Sequence, residues 1–75
     1  MAENDREKFV RLANKRVNKA VKAIRLIGNL SNRSNYSFTQ QDIEKIFRVL
    51  GAELKSSRQR FDNESEQGEG LFQLE

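Results

Sequence analysis

Lys8, Lys15 and Lys22 recur at seven-residue intervals, a spacing that returns successive side chains to one side of an α-helix with a drift of only about 20° per step. Arg11, Lys19 and Arg25 fall on adjoining rows, so the six form one cationic ridge. Between Lys8 and Arg25 the helical rise is about 26 Å at 1.5 Å per residue, enough to follow several phosphates of a DNA duplex or a folded RNA. Ammonium and guanidinium groups hold phosphate oxygens through charge-assisted hydrogen bonds, so an anionic polymer is the expected partner, with an acidic protein surface as the other candidate. Most charge runs are merely solvated helix faces, but such faces mix signs to gain pairs at i,i+4. Here residues 8–33 hold eight cations and no Asp or Glu.

Two further groups extend this chemistry. Asn14 and Asn18 sit beside the ridge, where an Asn side chain can bond a base edge or a phosphate, although helix-surface Asn is more often simply tolerated. Arg33 and Tyr36, in a polar segment beyond the ridge, have the types needed to clamp a phosphate and stack on an unpaired base. The plainer role for Tyr36 is packing over the end of a helical hairpin.

Catalysis is poorly served. His, Cys, Trp and Pro are all absent, which removes the common metal ligands, thiol nucleophiles and the usual neutral-pH base. The carboxylates Asp42, Glu44 and Glu53 have no recognisable catalytic spacing, and Asp42 is explained by helix capping. The chain is expected to be no enzyme, with no cofactor, no metal and no small-molecule substrate.

At 75 residues, with 36% hydrophobic and 33% charged side chains and a mean hydropathy of −0.83, the sequence has room for one small domain and lies near the composition of long helices. The net charge of +3 conceals three zones: the basic 8–33, a mixed 37–61 with five cations and three acids, and an acidic 62–75 with five acids and no cation. No apolar run approaches the 18 residues of a membrane span, and no secretory signal is recognisable. A cytoplasmic address and no membrane partner are therefore expected. The Asn-X-Ser triplets at Asn29, Asn32, Asn35 and Asn63 carry little weight without secretion.

The elements that must position the ridge can be derived from periodicity. Val10, Ala13, Val17, Ala20, Ile24 and Ile27 alternate steps of three and four, which predicts a helix over about 5–29. Asn4 is its candidate cap, Glu3, Asp5 and Glu7 lie at the positive end of its dipole, and Gly28 and Asn29 mark its end. The next stretch, rich in Ser and Asn, reads as a loop over about 30–38. A second helix over about 39–60 is announced twice. Thr39 and Asp42 form a capping box, and Phe38 and Ile43 form a hydrophobic staple. Ile43, Ile46, Phe47, Leu50, Leu54 and Phe61 continue its stripe, with Ser57 as the weak layer. Residues 62–75 read as a mobile acidic tail, in which Leu71, Phe72 and Leu74 form a short apolar peptide and a candidate partner-binding element.

The fold class expected is all-α: residues 1–61 as a two-helix antiparallel hairpin that dimerises into a four-helix bundle, and 62–75 as the flexible tail. A chain of this size rarely gains more than about 3–5 kcal/mol from its own core, and without disulfides or metals a second copy is the economical way to cover the stripes. In shape this resembles the Rop type of RNA-binding four-helix dimer, through a hairpin of similar length and an Arg60-Phe61-Asp62 end followed by an acidic tail. The likeness carries no RNA-contacting position across to this chain. The function expected is that of a small regulatory protein binding nucleic acid through Lys8, Arg11, Lys15, Lys19, Lys22 and Arg25, with Arg33 and Tyr36. The alternative is a protein–protein adaptor or inhibitor docking through the hairpin or the tail.

Overall fold

The computed structural model describes the backbone of residues 2–73 and the side chains of 2–64. Among the described residues the secondary structure is wholly helical, and the chain divides into two units, Met1–Ser37 and Phe38–Glu75.

The first unit is built on helix α1, Asp5–Gly28. Asn4 caps it with an extended backbone (φ −80°, ψ 172°). The Glu7 amide donates to Asn4 Oδ1 at 2.7 Å, and Asn4 Nδ2 returns a bond to Glu7 Oε1 at 3.1 Å. Asp5 and Glu7 occupy the first turn and Arg25 the last, so charge and dipole agree at both ends. Gly28 keeps a right-handed backbone (φ −60°, ψ −30°), and the chain runs on into a 3-10 turn, Asn29–Ser31. The expected loop over 30–38 is corrected here: Leu30 and Ser31 belong to that turn, because Gly28 does not take the left-handed backbone that would break the helix sharply. Asn32 then organises the connection to the second unit. Its Oδ1 accepts the Ser34 amide at 3.0 Å, and its carbonyl accepts those of Asn35 and Tyr36 at 3.1 and 3.0 Å, the local bonding for which Asn is favoured in turns.

The second unit is helix α2, Gln40–Gln73. Its capping box closes as the sequence predicts: the Asp42 amide donates to Thr39 Oγ1 at 3.1 Å, and the Thr39 amide to Asp42 Oδ2 at 2.9 Å. Phe38 and Ile43, the staple residues, are both half-buried. The expected end near Arg60 is corrected, since helical backbone continues beyond it. Neither Pro nor Gly interrupts residues 52–67, and Arg58 Nε meets Asp62 Oδ1 at 3.3 Å across the expected boundary, an i,i+4 pair of the kind that supports a helix. The side chains of the apolar peptide Leu71, Phe72 and Leu74, the candidate partner-binding element, lie outside those described.

No described side chain is buried. Leu12, Ala13, Ile27, Phe38, Ile43 and Leu50 are half-buried, while Val17, Ile24, Phe47, Leu54 and Phe61 are between 52% and 75% exposed. Local bonds and caps define both helices.

Candidate nucleic-acid interface

Because α1 runs unbroken from Asp5 to Gly28, all six ridge cations lie on one continuous helix. At 100° per residue, Lys8, Arg11, Lys15, Lys19, Lys22 and Arg25 fall within an arc of about 120°. Phe9, Val10, Ala13, Val17, Ala20, Val21, Ile24 and Ile27 occupy the opposite side, in an arc of similar width. The ridge side chains are all exposed.

Arg11 differs from the other five. Its Nε donates to Glu3 Oε2 at 2.9 Å and its Nη2 to Glu3 Oε1 at 3.0 Å, a two-pronged guanidinium–carboxylate pair. The bond from Glu3 raises the Arg11 pKa above its ordinary value, so the charge is fixed but shared. Lys8, Lys15, Lys19, Lys22 and Arg25 have no ion pair among the described residues. Each step along the ridge, from residue 8 to 11, 15, 19, 22 and 25, joins like charges three or four positions apart. Such pairs cost an isolated helix about 0.2–0.5 kcal/mol each, and a line of phosphates lying over them would reverse the sign of that term.

The remaining cations of α1 lie elsewhere. Arg16 falls outside the ridge arc, and Arg6 lies over the Phe9 ring with its guanidinium carbon 5.8 Å from the centroid. Sequence reasoning passed over Leu26, which lies at the angle of Lys8 and is 67% exposed. It also passed over Phe9 and Val21, which broaden the apolar side, and Leu12, which lies beside Lys19 at the edge of the ridge. Their angles are readable from spacing, but all three fall outside the strict three-four stripe that marks the helix.

Arg33 and Tyr36 are held by the turn around Asn32, and Tyr36 is 48% exposed. Asn14, beside the ridge, and Asn18, within its arc between Arg11 and Arg25, are both exposed. In the second unit Asp42 serves the cap of α2, while Glu44 and Glu53 are exposed. Among the described residues no cluster of three or more acidic side chains is arranged to hold a metal ion, and no helix is long and apolar enough to cross a membrane. Comparison of the chain with protein-family models, curated proteins and solved structures finds no match.

Proposed function

We propose that this chain is a small non-enzymatic nucleic-acid-binding protein of regulatory type, which holds phosphates along the exposed face of α1. The observation that carries this reading is the ridge itself. Six cations lie on one uninterrupted helix with no acid among them in sequence, at a standing cost in like-charge repulsion that a polyanion would relieve. Arg33 and Tyr36 add a guanidinium and a half-exposed ring on a hydrogen-bonded turn, suited to a phosphate and an unpaired base at the end of the bound strand.

In the same proposal the two helices fold antiparallel and two hairpins pair into a four-helix bundle, which covers the apolar stripes and leaves the ridge on the outside. Ala13 and Ala20 allow close helix approach opposite the bulky Phe47, Leu50 and Leu54. The cytoplasm is the compartment this reading assigns.

The test is binding to a DNA duplex and to a structured RNA as salt is raised. On duplex DNA five to six phosphate contacts give a slope of log affinity against log salt of about −4.5 to −5.4. Lys15→Glu with Lys22→Glu should abolish binding while the helix content stays unchanged, since Val17, Ala20 and Ile24 are untouched. If the wild type binds neither duplex DNA, structured RNA nor single strands at about 50 mM salt, where phosphate contacts are strongest, the reading is wrong. A docking adaptor is then the function to pursue.

A further inference from the structure

Glu3 lies before the Asn4 cap, so its backbone is outside α1 and its side chain reaches back along the ridge to a residue eight positions on. There its two oxygens meet Arg11 Nε and Nη2 at 2.9 and 3.0 Å. A planar guanidinium presents this fork equally to a carboxylate and to a phosphate, and the distances are those of either pair. The contact is open to water, with the Arg11 and Glu3 side chains 58% and 32% exposed. An ion pair so exposed is weak and readily exchanged. Among the ridge cations with described side chains, Arg11 alone has its charge occupied by the chain's own acid.

We propose that Glu3 is an intramolecular stand-in for phosphate, a latch that occupies the Arg11 guanidinium in the free protein and is displaced when nucleic acid lies along α1. The proposal rests on the reading of α1 as a phosphate-binding ridge and adds its regulation. The latch sets a threshold. A lone anion gains little by displacing a tethered carboxylate, whereas a polymer already held by Lys8 and Lys15 brings a phosphate to Arg11 at high local concentration. Exchange leaves the guanidinium fork satisfied throughout and frees Glu3 into water.

The experiment compares wild type, Glu3→Gln, Glu7→Gln, Arg11→Gln and the Glu3→Gln/Arg11→Gln pair on a short DNA duplex between about 50 and 200 mM salt. Glu7→Gln removes an equal charge one turn away without touching the Arg11 fork. Glu3→Gln should bind about two- to fivefold tighter than wild type, the range expected for releasing one exposed ion pair. Its salt slope should match that of wild type, about −5.4, because displacement of Glu3 leaves both complexes with the same six phosphate contacts. Glu7→Gln should fall short of that gain in affinity, and the gain from Glu3→Gln should vanish when Arg11 is Gln. Wild-type binding with no gain in affinity from Glu3→Gln would overturn the latch while leaving the ridge intact, as would a Glu3→Gln slope steeper by about 0.9, because Glu3 would then stay on Arg11 in the wild-type complex. So would an equal gain from Glu7→Gln, or a gain that survives without Arg11. Absence of wild-type binding to duplex DNA, structured RNA and single strands alike removes the ridge and the latch together.

Discussion

Thr39 and Asp42 exchange two hydrogen bonds at the start of α2, at 3.1 and 2.9 Å, and each satisfies a backbone donor that the first helical turn leaves open. Thr39→Ala removes one acceptor and should lower stability by about 1 kcal/mol, whereas Thr39→Asp keeps an acceptor and should cost little. Chemical denaturation of the two variants checks this. If both lose equally, the hydroxyl is not what holds the turn. This box, like the Asn4 cap of α1, was legible in the sequence because its partners are three positions apart and the geometry is entirely local. The Glu3–Arg11 fork was not. It spans eight positions and crosses the point where helical periodicity begins, so no spacing rule connects its members.

At the scale of the element, the existence of both helices was readable from the three-four spacing of apolar residues, and the start of each from its cap. The ends were harder to read. Gly28 signals termination by composition, yet its backbone stays right-handed and a 3-10 turn comes next. The far end of α2 has no capping signal near Arg60, and the Arg58–Asp62 pair spans the expected boundary within continuous helix. Gly51 belongs to the same element and gives a direct test of its surroundings. It sits within α2 without a left-handed backbone, and a Cβ placed there meets nothing within 4 Å. Gly51→Ala should therefore raise stability by about 0.5–1 kcal/mol, through helix propensity and a less disordered unfolded chain. Thermal unfolding of the full chain reads the sign. A fall instead of a rise would mean that another helix lies against Gly51 in solution.

For the whole molecule the energetics turn on the large apolar side chains of the two helices. Leu54 is 75% exposed, Phe61 65% and Phe47 54%, and fully burying side chains of this size is worth about 1.5–3 kcal/mol each. Caps and i,i+4 pairs supply only about 1 kcal/mol or less apiece, too little to offset the backbone entropy lost in ordering two long helices. In proteins most helical stability comes from packing an apolar face and not from propensity alone. The proposed bundle supplies that packing by coupling folding to association, with a consequence that neither helix alone would show. Raising the protein concentration must raise the melting temperature, because the folded form is favoured by mass action when it is a dimer and the unfolded form is not. Sedimentation and thermal unfolding should move together across a hundredfold concentration range. Leu50→Ala or Phe47→Ala should cost about 2–5 kcal/mol and shift the association equilibrium as well as the melting point. A folded monomer at micromolar concentration, with a melting temperature independent of dilution, would exclude the dimer. A loss below about 1 kcal/mol on truncating Phe47 or Leu50 would show that the stripe of α2 is not where the chain buries its apolar surface. The ridge reading would survive either result, because it depends on α1 alone. What would change is the length of phosphate backbone one functional unit can hold, since a dimer presents two ridges and a monomer only one.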